Sequence, residues 1–235
     1  MAPAQPDIYY EIMRYTDKNF DEFYEFFVRE MLSMDESGET ITAALKADPR
    51  VLPEADAFWK KFIKDSLVAN VTYVARDRAA DGRLVGVRLT RDFSVDEYES
   101  ALAELLGLQF QHPIMQRQIR TYVQFGEALT GGISWLRERR VERILYFAAL
   151  CVHRDYRRRG IANQMNLLTL AEGKERGCQL TLLTASATGS QKAFEKIGFV
   201  PYHSKDFADF LDEDGKAYIS PLNGTKSFIA YFKLL

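Results

Sequence analysis

Tyr146-Phe147-Ala148-Ala149-Leu150-Cys151-Val152, His153-Arg154-Asp155-Tyr156 and Arg157-Arg158-Arg159-Gly160-Ile161-Ala162 follow one another without a break. The first piece belongs to a continuous apolar run, Ile144 to Val152, and reads as a buried strand. The second is a basic turn. The third opens a helix expected from Gly160 to Arg176, with Ile161, Met165 and Leu168 on one face and Gly177 as its stop. A helix start carries unpaired backbone N–H groups and a partial positive charge, so an anion such as a pyrophosphate fits there. Gly160 and Ala162 keep that approach open, and the arginines add charge-assisted contacts to phosphate oxygens. A solvated basic turn before an ordinary helix would carry the same letters.

Outward from this segment the pattern is mixed. Toward the carboxyl end, Leu180 to Ala185 reads as a strand, Ser190 to Ile197 as a short helix ended by Gly198, and Phe199 to His203 and Phe228 to Leu234 as final strands around the acidic loop Asp212-Glu213-Asp214-Gly215. Toward the amino end, Ile8 to Arg14 reads as a strand. Asp17 is expected to cap a helix reaching about Leu32, with Phe20, Phe23, Tyr24, Phe27 and Met31 at helical spacing. A short helix, Thr40 to Lys46, and a longer one from Pro53 to about Ala69 come next. Val71 to Ala75 and Leu84 to Leu89 form strands around the turn residues Asp81-Gly82. Asp96 to Leu106 and Pro113 to Leu129 read as helices before a loop at Gly131-Gly132, a helical insertion at about 92–140. This order predicts one α/β domain over 1–235, with a central mixed, largely antiparallel sheet flanked by helices.

The chain has 235 residues, 47% of them hydrophobic, enough for a sizeable core. Its formal net charge of -2 does not point to nucleic acid as the main partner. Cys151 and Cys178 sit in apolar contexts and read as buried thiols in a reducing compartment. Three histidines, His112, His153 and His203, without metal-binding spacing predict no metal site. No apolar stretch is long enough to span a bilayer and the first residues do not read as a signal peptide, so a cytoplasmic, soluble protein without a membrane partner is expected.

The strand, turn and helix start resemble the acetyl-CoA signature of the GNAT superfamily of N-acetyltransferases, Gln/Arg-x-x-Gly-x-Gly/Ala, through Arg157, Gly160 and Ala162. A second family signature is similar to Thr181-Leu182-Leu183-Thr184-Ala185-Ser186 followed by Ala193-Phe194-Glu195-Lys196-Ile197-Gly198-Phe199. The resemblance implies a GNAT fold and an acetyl-CoA-dependent N-acyltransferase. It puts the cofactor's pantetheine along Leu150, Cys151 and Val152, and its pyrophosphate on Arg157, Arg158, Arg159, Gly160, Ile161 and Ala162. Many members carry a Tyr that protonates the departing thiolate four residues before the Gly of the Gly-Phe pair. This chain has Phe194 there.

Ser186 and Ser190, four apart with Phe in place of that Tyr, resemble a serine pair of the insect arylalkylamine (dopamine) N-acetyltransferases. So does Phe26-Phe27-Val28-Arg29-Glu30-Met31-Leu32, set against that subfamily's Phe-Phe-x-x-Glu-Pro-Leu, with Met31 replacing Pro. The resemblance implies Glu30 as general base and Ser186 or Ser190 as proton donors, with Ser190 also beside the cofactor. The acceptor would be a small-molecule amine such as dopamine, serotonin or tyramine. Other readings of the same residues stay open. Ser190 also reads as a helix cap, Ser186 as a loop serine, Glu30 as a solvated helix-end carboxylate and His153 as a structural turn residue. A polyamine or other small amine as acceptor, and a non-catalytic acyl-CoA-binding module, are the alternatives in function.

Overall fold

The computed structural model describes residues 6–32, 53–113, 115–116, 132–209, 211, 215 and 224–235. The expected helix Thr40 to Lys46, most of that from Pro113 to Leu129, Gly131 and the acidic residues Asp212, Glu213 and Asp214 lie outside them.

Strand β1 (Ile8–Ile12) leads into α1 (Asp17–Phe27), which continues as a π turn over Val28–Leu32. Thr16, not Asp17, caps α1: its hydroxyl accepts from Asn19 N while the Asn19 side chain accepts from Thr16 N. The extended backbone of Thr16 allows this reciprocal box, whereas Asp17 is already helical. Helix α2 (Pro53–Val68) precedes β2 (Tyr73–Asp77) and β3 (Arg83–Ser94). The hairpin between those strands is longer than the expected tight turn. A 3-10 turn, Arg78–Ala80, is capped by the Asp77 carboxylate before Asp81 and Gly82 reverse the chain. Then come α3 (Val95–Gly107), with its own Ser94/Glu97 capping box, and α4 (Gly132–Glu138). The last third is β4 (Arg143–Val152), α5 (Ile161–Glu175), β5 (Leu180–Ala185), α6 (Thr188–Lys196), β6 (Val200–Asp206) and β7 (Ser227–Leu234).

The strands form one seven-stranded sheet in the order β1-β2-β3-β4-β5-β7-β6. Every neighbouring pair is antiparallel except β4 and β5, whose parallel pairing uses α5 as crossover. The mixed, largely antiparallel sheet is therefore as expected. Val74 packs with Phe23, Phe26, Phe27, Ile63 and Leu67, whereas Ala75 packs with Ile161 and Met165. Successive residues of a strand point to opposite faces, so α1 and α2 cover one face and α5 the other. The phenylalanines of α1 are core: Phe23, Phe26 and Phe27 are all buried. Helix α5 lies close on the sheet. A Cβ at Gly173 would sit 2.5 Å from Leu145 Cδ2, and one at Gly86 would sit 3.0 Å from Met165 Cε. Cys151 and Cys178 are buried and not joined in a disulfide. No helix among the described residues is long and apolar enough to cross a membrane.

Candidate active site

The sheet splits at its parallel pair. Strand β4 pairs with β5 only over Ile144–Phe147, opposite Leu180–Leu183, while β3 stays with β4 to Val152. The split begins at a bulge. Leu89 faces Ala149 and Thr90 faces Phe147, which leaves Ala148 as an extra residue in β4. A bulge bends its strand and re-aims the residues after it. The resulting wedge is a narrow cavity lined by Ala148, Ala149 and Leu150 on one side and Leu183, Thr184, Ala185, Ser186 and Ser190 on the other. Met31, Arg88, Phe147, Phe194 and Phe228 complete it.

The cavity thus brings together three of the expected residues, Leu150, Ser186 and Ser190. Ser186 is buried just past the end of β5, and Ser190 is half-buried. Ser190 is not the cap of its helix. Helix α6 starts at Thr188 with Ala187 at the cap position, and no side chain of Ala187 can fill that role. The Thr225 hydroxyl accepts the Thr188 N–H instead, at 3.2 Å. The turn therefore begins two residues earlier than the serine suggested, and Ser190 sits inside the helix with its side chain at the cavity.

The basic turn lies at the far end of β4. It is tied down twice: Tyr156 donates its hydroxyl proton to Asp77 Oδ2 at 2.8 Å, and Arg157 Nε donates to the Val152 carbonyl at 3.0 Å. Arg157 thus braces the turn itself, whereas Arg158 and Arg159 are exposed. Arg158 (φ 63°) and Gly160 (φ 78°) are both left-handed. Gly160 caps α5 and supplies no side-chain hydrogen bond to its first turn. A Cβ there would meet nothing within 4 Å, so it is the backbone conformation, and not crowding within the chain, that calls for glycine. This 15-residue helix therefore starts without a side-chain cap, and the first N–H groups of a helix have no partner within it. Ile161 is buried beneath Gly86 and Ala162 is half-buried. Cys151 is buried, and Val152 is half-buried.

Glu30 lies in the π turn that ends α1, and its side chain is only 2% exposed. It is therefore no solvated helix-end carboxylate. Its Oε2 accepts the Arg154 backbone N–H at 3.3 Å, its Oε1 accepts from Arg29 Nε at 3.1 Å, and His153 Nε2 stands 3.7 Å away. Arg83 Nη2 lies 2.8 Å from the same His153 nitrogen. A guanidinium can only donate, so His153 Nε2 accepts. Burial lowers the His153 pKa and Arg83 adds to that, against the pull of Glu30. Glu30 does not itself line the wedge, but Met31, the next residue, does. The wider π turn places these two neighbours on the turn and on the cavity respectively.

Arg83, Arg88, Met31 and Phe228 join the site without a motif to mark them, and His153, expected as a structural turn residue, stands beside Glu30 and Arg83. Arg88 had a signal, since it interrupts the apolar run Leu84 to Leu89. The others are brought in only by tertiary packing.

Residues 117–201 match the model of the acetyltransferase (GNAT) domain. Among solved structures, the chain is similar to an agmatine N-acetyltransferase, with a TM-score of 0.77 and 18% identity over 97% of this chain and 100% of that one. It is likewise similar to arylalkylamine N-acetyltransferase 2 from Aedes aegypti, with a TM-score of 0.76 and 18% identity over 97% and 99% of the two chains. A polyamine N-acetyltransferase of Drosophila melanogaster gives a TM-score of 0.72 and 17% identity over 97% and 100%. No curated protein matches the sequence significantly. The chain has the GNAT fold, in the form shared with insect arylalkylamine and polyamine N-acetyltransferases.

Proposed function

We propose that this chain transfers the acetyl group of acetyl-CoA to the primary amine of a small molecule. One observation carries the reading. Strands β4 and β5 part after Phe147 and Leu183, the cavity between them is lined by Leu150, Ser186 and Ser190, and β4 runs on to a turn after which α5 starts without a side-chain cap. A long, thin cofactor with an anionic middle and a thioester tip matches that shape and polarity. The matched GNAT domain supports acetyl-CoA as its identity. The pyrophosphate would meet the N–H groups from Gly160 to Ala162 with Arg158 and Arg159 around it, and the pantetheine would add to β4 along Leu150, Cys151 and Val152.

Chemistry then needs three things. A protonated amine is no nucleophile, so a base must take a proton; Glu30 is that base, directly or through water. The amine attacks the thioester carbonyl, and a backbone N–H near Leu150 to Val152 stabilises the oxygen as it gains charge. The C–S bond breaks, and Ser190 or Ser186 passes a proton to the sulfur and regains one from solvent. Phe194 lines the cavity without a proton to give.

The acceptor we favour is an arylalkylamine. The cavity's described lining includes Met31, Leu150, Phe194 and Phe228 and no carboxylate, and it contains the cation Arg88. An aromatic ring gains by leaving water against such a surface, whereas the second cation of a polyamine finds no counter-charge there. The likeness to agmatine and polyamine N-acetyltransferases keeps small cationic amines as the second reading. We take residues 1–235 as one acetyltransferase domain with α3 and α4 in a helical insertion, working in the cytoplasm, where two buried cysteines stay outside any disulfide. Turnover with tryptamine, tyramine, dopamine, agmatine and spermidine, followed by thiol release, tests the assignment. Higher kcat/KM on spermidine than on every arylalkylamine rejects this acceptor class and leaves acetyl transfer standing.

A further inference from the structure

Arg88 has no part in the steps described so far. It stands in the middle of β3, facing Tyr73 of β2 and Leu150 of β4. Its side chain is fully buried. The guanidinium carbon lies 3.7 Å from the ring centre of Phe147 and 5.5 Å from that of Phe194. Nε and Nη2 are buried without a hydrogen-bond partner, and among the described residues no carboxylate pairs with the group. Two other partly buried arginines, Arg76 and Arg143, differ. Arg76 holds Glu11 and Glu22, and Arg143 holds Asp92.

An uncompensated buried charge is costly. The faces of two phenylalanines offset part of that cost, and burial still presses the Arg88 pKa well below its ordinary value. What would complete its surroundings is an anion in the cavity that it lines with Ala148, Ala149, Leu150, Ser186 and Ser190. The acetyl transfer proposed above generates one there.

We propose that Arg88 holds the thiolate of coenzyme A as it departs. The amine nitrogen bonds to the acetyl carbon, and the C–S bond breaks with its electron pair staying on sulfur. The amine's proton passes to Glu30 and on to solvent. The guanidinium N–H groups meet the sulfur anion, so transfer of a proton to sulfur need not keep pace with bond breaking. This fits a cavity in which the ring beside the guanidinium at the family's tyrosine position is the non-ionisable Phe194.

The inference rests on the acetyl-CoA reading, and one experiment separates the two. The thiol of bound coenzyme A is titrated through its ultraviolet thiolate absorbance in the wild type, Arg88→Met and Arg88→Lys. In the wild type the bound thiol should ionise about one pH unit or more below the free thiol, a tenfold change in its ionisation constant. Arg88→Met should return it to the free value or above and lower kcat by about 10², with little change in coenzyme A affinity where the thiol is neutral. Arg88→Met removes an unpaired buried charge and should fold. Arg88→Lys moves the cation and should raise the thiol pKa part of the way, which keeps the test open if the Met variant does not fold. A bound thiol with the same pKa in the wild type and in the folded variants overturns the assignment and leaves Arg88 as packing on Phe147. A wild type that binds no coenzyme A overturns the acetyl-CoA reading, and this inference with it.

Discussion

The Glu30 carboxylate accepts the backbone N–H of Arg154 at 3.3 Å, across 124 residues of sequence. That contact joins the end of the first helix to the turn that follows β4. The base we assign and the cofactor turn are therefore one structural unit. A change at Glu30 acts on both chemistry and turn geometry, and its test has to read the two separately.

Glu30→Gln keeps the size of the side chain and its acceptor for the Arg154 N–H, but it takes no proton at neutral pH. We expect kcat to fall by roughly 10²–10⁴, with acetyl-CoA affinity by calorimetry changed little. The loss should shrink at high pH, where more of the amine arrives already deprotonated. A wild-type kcat/KM at neutral pH on the best acceptor would put the base elsewhere.

His153 sets a pH dependence of stability. Burial holds its pKa below the ordinary 6.5, with Arg83 adding to the effect and Glu30 opposing it. As pH falls through 6.5, the unfolded chain takes up a proton that the folded chain refuses. This contribution to stability is therefore complete above that pH and is lost as pH drops toward the folded value. Melting temperatures between about pH 8 and pH 5 should decline less steeply for His153→Gln than for the wild type. Parallel curves would mean that other groups carry the acid sensitivity.

Gly160 and Gly177 give a matched pair, with φ of 78° and 77° at the two ends of α5. An alanine at either position costs about 1 kcal/mol of stability through the left-handed backbone. Only Gly160→Asp, which adds bulk and negative charge where the pyrophosphate belongs, should also weaken acetyl-CoA binding by more than about tenfold. Equal affinities in Gly160→Asp and Gly177→Asp would remove this turn from the site.

Ser190→Ala should leave stability within about 0.5 kcal/mol of the wild type, because the serine does not cap α6, and should lower kcat by about tenfold or more. Thr225→Ala removes the hydroxyl that receives the Thr188 N–H, so the cap-sized loss of about 1 kcal/mol belongs there. A large drop in melting temperature for Ser190→Ala with kcat unchanged would make that serine structural.

Much of this fold is legible along the chain because β4, its turn and α5 are contiguous, and their letters carry both periodicity and glycine placement. The parallel pair follows from a strand, a helix and a strand in succession. The bulge at Ala148 is not legible, since it exists only as a mismatch between β3 and β4. The misread cap at Ser190 has the same origin: the hydroxyl that serves α6 comes from Thr225, 37 residues away in sequence from Thr188. The π turn replaces the α-helical geometry that spacing suggests after Phe27. That difference lets Glu30 reach Arg154 while Met31 reaches the wedge. Arg88 was visible as a charge inside an apolar strand, but only tertiary packing shows that it lacks a carboxylate partner among the described residues.

The most direct measurement is amine-dependent release of free thiol from acetyl-CoA by the purified full chain, with the product identified by mass spectrometry. The account predicts thiol release in step with formation of the N-acetyl amine, faster on tryptamine, tyramine or dopamine than on spermidine or lysine. Tight binding of acetyl-CoA with no amine-dependent thiol release on any member of the panel would contradict it, and would make the chain an acyl-CoA-binding module without catalysis.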